Sequence, residues 1–242
     1  FDETGNREVY AKGKIPKFDF KPKDHMTLMQ MHGMVDIERA VKIGGARSYF
    51  LKGYGAVLEQ AVLQYTFKKL IDKGFIPIAV PFLVNPDCLE GTGYFPGGEE
   101  DAYHMERDDK WLIGTGEIPL TSYHKDEILS EEELPKTYVT MSACFRREAG
   151  SYGKDTQGLY RMHQFNKVEQ VVILPADTEL SDKWHEKILA NAQEVLDERP
   201  IRAVLQFPTG FAHRLDEGSP ADLLGPLLNG SSPALLHVRA LV

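Results

Sequence analysis

Two long stretches, residues 137–145 and 163–173, constrain the fold of this chain more than any other feature. Apolar and polar residues alternate in the first stretch well enough to indicate a strand, and the second stretch is rich in Val and Ile. Both are therefore predicted strands. A glycine-containing loop separates them, and this spacing favours antiparallel pairing. The chain is therefore expected to contain an antiparallel sheet.

Two strong helices are predicted outside this strand pair. In residues 55–73, apolar side chains recur at helical spacing in two stripes, and Gly74 supplies a stop. Asp177 is a plausible N-cap for a second helix that extends to about Glu198, before Pro200. Helices beside an antiparallel sheet indicate the α+β class.

The remaining elements are shorter, and all are assigned to one domain, 1–242. We predict a helical stretch over residues 26–43 and a loop that passes into a weak helix over 117–129. Residues 1–25 are expected to be an extended lead-in, 85–110 a loop, and 208–242 a poorly patterned segment. Short strands are predicted at 48–51, 75–80, 111–114 and 201–207.

Composition excludes several classes of protein. The 242 residues carry a formal net charge of −8, which argues against a protein coated in nucleic acid but not against a local basic groove. Cys88 and Cys144 have no suitably spaced partners, so neither a disulfide scaffold nor a zinc site is expected. No apolar run is long enough to span a bilayer and no signal-peptide layout is present, so the predicted location is the cytoplasm.

The residues around the strand pair could bind an extended, charged ligand. Arg146 and Arg161 suit phosphate oxygens, which accept bidentate hydrogen bonds from guanidinium groups. An aromatic ring such as Phe165 suits a purine, and a carboxylate such as Glu169 suits an amine, a hydroxyl or a metal ion. The Arg-x-Glu triplet that ends at Glu148 is, by itself, more typical of a structural ion pair. Only the combined order and spacing favours a functional interpretation.

These residues carry a family resemblance. The segment FRREAGSYGKDT, residues 145–156, resembles motif 2 of class II aminoacyl-tRNA synthetases, in the version of bacterial-type seryl-tRNA synthetases. Residues 55–81 resemble motif 1, with Pro81 as its proline, and residues 18–25, 85–93 and 115–117 also fit. The likeness covers about residues 6–206. It implies a class II synthetase-like antiparallel sheet flanked by helices.

The resemblance implies that serine's carboxylate attacks the α-phosphate of ATP and displaces pyrophosphate, after which the seryl group passes to tRNA. Mg²⁺ would bridge the phosphates. Arg146 would bridge the serine carboxylate and the α-phosphate, Arg161 would bind the γ-phosphate side, and Phe165 would stack on adenine. The residues implied to bind ATP are Arg146, Arg147, Glu148, Arg161, Met162 and Phe165.

The serine pocket is also implied by the resemblance. Thr115-Gly116-Glu117 is similar to the family's Thr-Ala-Glu loop, with Gly in place of Ala, and Glu117 would hold the serine ammonium. Glu169 would accept a hydrogen bond from bound serine. A site that pairs with a hydroxyl rejects analogues that lack one, because its buried polar groups then stay unpaired. The residues implied to bind serine are Thr115, Gly116, Glu117, Arg146, Glu169 and Ser231.

The sequence departs from the family pattern in two places. No segment matches the helical arm with which the family grips tRNA, so binding of tRNA(Ser) is expected to be weak. Residues 211–227 do not replace the family's strand that supplies a glutamate for ATP and metal, and no metal ligand is identified. Leu228 to Ser231 resembles the segment before motif 3. Arg239 is a candidate second catalytic arginine beside Arg146, in a motif 3 that lacks its glycines.

Two other functions remain open at this point. The chain could be a non-catalytic binding or dimerisation module derived from this fold, which the shortened C-terminal segment favours. It could instead be an amino acid–carrier protein ligase, although the cysteine pattern and the bacterial-type motif 2 argue against that branch. A homodimer through residues 55–81 is expected for the leading interpretation.

Overall fold

The computed structural model describes residues 17–150 and 158–198. In this part, the α-helices α1 to α6 are His25–Met31, Ile37–Gly44, Tyr54–Asp72, Pro86–Gly91, Glu117–Thr121 and Thr178–Asp197. The strands β1 to β8 are Val35–Asp36, Phe50–Leu51, Ile76–Pro77, Leu83–Val84, Tyr103–Met105, Lys110–Leu112, Lys136–Phe145 and Gln164–Ile173. The predicted strand 201–207 and the segment 208–242 lie outside the described residues.

The long strands β7 and β8 pair antiparallel along their whole length, as the sequence predicted. The register places Cys144 opposite Phe165, Ser142 opposite Lys167, and Thr140 opposite Glu169. Since neighbours two apart share a face, these six residues line one face of the hairpin.

The other face of the hairpin is covered by α3 and α6. Val139 packs against Leu70 of α3, with Trp184 of α6 beside them. Asp177 caps α6 through a hydrogen bond that its carboxylate accepts from the Leu180 N–H, at 2.9 Å. Both strong helices were therefore predicted correctly, to within about one residue at each end.

A second sheet joins the hairpin at one corner. Its strands follow the antiparallel order β4-β6-β5. The Phe145 N–H donates to the Ile113 carbonyl at 2.8 Å, so the end of β7 is fixed against the segment that follows β6. A second apolar cluster, containing Leu89, Ile113 and Ile118, packs beneath this junction.

Several details differ from the predictions, and one is that helix α5 begins at Glu117 itself, where the start of a loop was predicted. Residues 85–110 are not a continuous loop, because α4 begins with a proline at its first turn and buries Leu89 completely, and β5 follows. Residues 26–43 are not one helix, since Gly33, at φ 62°, separates α1 from β1 and α2. The strand predicted over 75–80 is reduced to β3, which pairs parallel with β7.

Candidate active site

Four residues meet on the open face of the hairpin, and we call them the buried cluster: Thr115, Glu117, Lys167 and Glu169. Thr115 follows β6, Glu117 begins α5, and the other two lie two residues apart on β8. The side chains of Lys167 and Glu169 are 8% and 10% exposed, and Thr115 is 3% exposed. Three separate elements thus bring polar groups together away from water.

Hydrogen bonds hold the buried cluster together. The Lys167 Nζ donates to Thr115 Oγ1 at 2.6 Å and to Glu169 Oε1 at 2.9 Å. The Thr115 hydroxyl donates to Glu169 Oε2 at 2.7 Å, and the backbone N–H of Glu117 donates to the same oxygen at 3.1 Å. The arrangement fixes the Glu169 carboxylate relative to α5.

The carboxylate of Glu117 has a different electrostatic environment. Burial raises its pKa, and the nearby charge of Glu169 raises it further, whereas Lys167 opposes the shift. In the described part of the chain, no hydrogen bond is donated to this carboxylate. A cationic ligand placed between Glu117 and Glu169 would relieve their mutual repulsion.

Gly116 lets the loop approach the sheet. A Cβ atom at this position would lie 2.7 Å from Ser142 Oγ and 2.8 Å from Thr140 Cγ2, both on β7. These contacts are shorter than real Cβ atoms make. The family's alanine is therefore replaced by glycine where two β7 side chains fill the space.

A second group, which we call the loop cluster, contains Arg146, Glu148, Arg161 and Phe165. Arg146 follows β7, and its Nε donates to the Gly114 carbonyl at 3.1 Å, while its guanidinium lies 5.3 Å from the centre of the Phe165 ring. Arg161 Nη1 lies 3.1 Å from Glu148 Oε2. The Glu148 side chain is 8% exposed and that of Arg161 is 40% exposed. The loop cluster lies at the end of the hairpin that carries the motif 2 segment.

Backbone contacts hold the two ends of the motif 2 loop. The Asp101 carbonyl accepts from the Arg147 N–H at 2.8 Å, and the Asp101 carboxylate accepts from the Ala149 N–H at 3.1 Å. At the other end, His25 Nε2 accepts from the Leu159 N–H at 3.2 Å. Sequence analysis assigned no role to Asp101 or to His25, although His25 ends the segment 18–25 that resembles the family, because their partners in the loop are distant in sequence.

The remaining predicted residues are placed as follows. Arg147 lies apart from the loop cluster, with its guanidinium 5.8 Å from the centre of the Tyr103 ring. Met162 is buried, which agrees with a role only for its backbone. Ser231 and Arg239 lie outside the described residues.

An open groove lies apart from this site. Its volume is about 380 Å³, and it is lined in part by Tyr49, Tyr103, Phe145 and Gln164. Phe145 and Gln164 pair with each other and face away from Phe165 in the strand register. The chemistry of the buried cluster, rather than groove size, identifies the candidate site.

Within the described residues, no three side chains among His, Cys, Asp and Glu lie together in a way that could hold a metal ion. No helix in the described segments combines the length and the apolar character needed to cross a bilayer.

Comparisons with known proteins identify the chain's relatives. The family model "tRNA synthetase class II core domain (G, H, P, S and T)" matches residues 102–208. The serine–tRNA ligase of Deinococcus radiodurans is 45% identical over 211 residues, which is 86% of this chain and 49% of that protein. The chain thus spans about half the length of the curated relatives that it matches.

Solved structures of seryl-tRNA synthetases have a similar fold. Seryl-tRNA synthetase from Pyrococcus horikoshii, complexed with ATP, superposes with a TM-score of 0.70 at 42% identity, over 74% of this chain and 40% of that one. The cytoplasmic serine–tRNA ligase of Naegleria fowleri, in complex with AMP, gives a TM-score of 0.75 at 33% identity. This match covers 80% of the present chain and 47% of that protein. The predicted α+β class and class II fold are confirmed. The chain belongs to the seryl-tRNA synthetase family of class II aminoacyl-tRNA synthetases.

Proposed function

We propose that the chain carries the site at which serine is activated by ATP to seryl-adenylate, for transfer to tRNA(Ser). The observation that carries this proposal is the junction of the buried cluster with the loop cluster on one face of the β7–β8 hairpin. Carboxylates suited to an amino acid lie next to arginines and an aromatic ring suited to a nucleotide. The relatives that were solved with ATP and AMP support a nucleotide ligand.

Serine would bind in the buried cluster. Its ammonium would lie against Glu117, whose pKa is raised by burial and by the nearby charge of Glu169, so a cationic partner would stabilise the ionised carboxylate. Its hydroxyl would donate to Glu169, and Gly116 would form the wall between them. Serine fits this pocket better than alanine, because a buried acceptor that stays unpaired is costly.

ATP would bind across the loop cluster. Adenine would stack on Phe165, and Arg161, whose side chain is 40% exposed and pairs with Glu148, would turn towards phosphate oxygens when ATP binds. The Arg146 side chain donates to the carbonyl of Gly114, next to Thr115 of the buried cluster, so its guanidinium would touch both the serine carboxylate and the α-phosphate. Its positive charge would offset the charge that develops as the carboxylate attacks.

Little covalent chemistry falls to the protein. The carboxylate oxygen of serine would form a bond to the α-phosphorus as the bond to the pyrophosphate oxygen breaks. Acceleration would come from holding the two reactants in line and from neutralising phosphate charge. The described residues offer no protein cage for Mg²⁺, so the ion would be held mainly by phosphate oxygens, and no step here depends on it.

The wider assignments follow from the family and are proposals too. We infer that the acceptor is tRNA(Ser), that the molecule works in the cytoplasm, and that two copies associate through α3 and the segment that ends at Pro81. Light scattering after size exclusion tests the dimer, and a monomer would count against that interface.

The deciding experiment is serine-dependent exchange of pyrophosphate into ATP. We expect exchange with serine, and a loss of about a hundredfold or more in Arg146→Ala, since removal of one donor to developing charge has an effect of that size. Arg39→Ala, an exposed arginine of α2 that pairs with Asp36, is the matched control and should keep the activity. A folded chain without exchange would favour the non-catalytic module. Zinc at one atom per chain would favour the carrier protein ligase.

A further inference from the structure

Lys167 lies beneath the proposed serine pocket, and no family motif quoted for this sequence assigns it a role. Its side chain is 8% exposed. Lysine is seldom buried to this extent unless it is paired, because its ammonium loses the solvation of water. Here the ammonium has two partners, Thr115 and Glu169, and both belong to the pocket.

The ammonium of Lys167 fixes the direction of a hydroxyl. An ammonium group only donates hydrogen bonds, so the Thr115 oxygen accepts at 2.6 Å. The proton of Thr115 is then directed to Glu169 Oε2, at 2.7 Å. The Thr115 hydroxyl both donates and accepts within the protein, which makes it a poor partner for a ligand.

The same contacts nearly saturate Glu169. An ionised carboxylate offers about four acceptor positions. Thr115 and the Glu117 N–H occupy Oε2, and Lys167 occupies one position on Oε1. One acceptor position, on Oε1, remains for a ligand.

We propose that Lys167 is a positioning residue for substrate selection, which orients Thr115 and Glu169 so that one acceptor position on Oε1 is kept for the hydroxyl of the amino acid. This role presupposes serine activation. It adds that discrimination between serine and alanine depends on a lysine that does not itself touch the substrate.

Calorimetric titration of Lys167→Met tests this role. The probes are seryl-sulfamoyl-adenosine, alanyl-sulfamoyl-adenosine and ATP. We expect the affinity for the seryl probe to fall about ten- to a hundredfold, as for loss of a hydrogen bond to a charged group. The affinity for the alanyl probe should fall much less, and that for ATP should stay within about twofold, so the seryl-to-alanyl ratio collapses. Lys69→Met, which removes a lysine of similar burial that pairs with Glu194, is the matched control and should keep all three affinities.

Two outcomes would overturn the role. If all three affinities fell together, or if the seryl-to-alanyl ratio survived in Lys167→Met, Lys167 would be merely structural. If the wild-type chain bound neither the seryl probe nor ATP, the proposed serine activation itself would be contradicted. A failure of the Lys167 role alone would instead appear with a wild-type chain that binds both.

A second comparison covers the case in which Lys167→Met does not fold. Lys167→Met/Glu169→Gln leaves no unpaired carboxylate on β8, so it should fold, and it is compared with Glu169→Gln alone. Because Lys167 acts through Glu169, the two variants should share one seryl-to-alanyl ratio. A further fall in the double variant would contradict the role.

Discussion

The buried cluster and the loop cluster differ in how they are built. Thr115, Lys167 and Glu169 are at most a tenth exposed. Lys167 and Glu169 lie on β8, and both form hydrogen bonds with Thr115, which follows β6. In the loop cluster, Arg161 is 40% exposed and lies three residues before the start of β8. The first cluster is supported by regular structure on several sides, whereas the second lies at the open end of the hairpin.

The difference in exposure suits the two clusters to different tasks. A small amino acid is distinguished by single atoms, which requires fixed partners and low exposure to water. A triphosphate is held by charge from several directions, and half-exposed arginines can adjust to it at some entropic cost. Changes in the buried cluster should therefore alter selectivity, and changes in the loop cluster should alter nucleotide affinity.

The largest effect that would sharpen this comparison is expected for Glu117→Gln. Removing the charge that we propose faces the serine ammonium should weaken binding of seryl-sulfamoyl-adenosine about tenfold or more, because charge-assisted hydrogen bonds are stronger than neutral ones. ATP affinity should change little. Titration of both ligands measures this. An equal loss for ATP would break the proposed separation of the two clusters.

The same variant should become more stable at neutral pH. The pKa of Glu117 in the folded chain is raised, first by burial and then by Glu169, while Lys167 lowers it. The folded state therefore favours the protonated carboxyl, and ionisation costs stability as the pH rises through the folded pKa. Glu117→Gln avoids that cost, so its melting temperature should exceed that of the wild type at pH 7.5.

The gain should vanish in acid. Below the ordinary pKa of about 4.5, Glu117 is protonated in both states and the two proteins should melt alike. Glu90→Gln, an exposed acid on α4, is the control and should show no gain at either pH. A gain that persisted in acid would mean that charge burial is not its cause.

A smaller effect is expected from Gly116→Ala, which tests how closely the buried cluster is packed. The new Cβ would press on Ser142 Oγ and Thr140 Cγ2. Overpacking of this kind costs about 1–3 kcal/mol, and displacement of the loop should weaken serine binding severalfold. The seryl probe and thermal unfolding measure the two consequences.

Ser142→Ala provides the internal check on that substitution. It removes one of the two colliding atoms, so the double variant should recover part of the lost affinity and stability. Full additivity of the two substitutions would show that the loop does not rest on β7 in the way described.

Much of this site could be predicted from the sequence, because motif 2 and the alternation of β8 fix the order of its residues. Phe165 and Glu169 are four residues apart in β8, so the period of two predicts that they share a face, and the register with β7 agrees. The role of Lys167 could not be predicted in this way. A lysine in an alternating strand is usually exposed, and its partner Thr115 lies 52 residues away in sequence.

The short elements show the same limit. Helix α4 has six residues, too few for apolar periodicity to indicate a helix, and the surrounding glycines favour a loop. Its burial depends on Leu89 meeting Ile113 and Ile118, which only the tertiary structure reveals. Long periodic segments such as α3 and α6 were predictable because each carries its own pattern.

The smallest effect is expected away from both clusters, in Lys69→Met on α3. Lys69 is 14% exposed and pairs with Glu194, at 2.8 Å, and with Glu198, so it links α3 to α6 behind the hairpin. Partly exposed ion pairs contribute little, so the free energy of unfolding should fall by about 1 kcal/mol, which lowers the melting temperature by about 2–4 °C. Serine and ATP affinities should stay unchanged. If this variant lost selectivity between the seryl and alanyl probes, support from the α3–α6 layer, rather than the polar contacts of Lys167, would control the pocket.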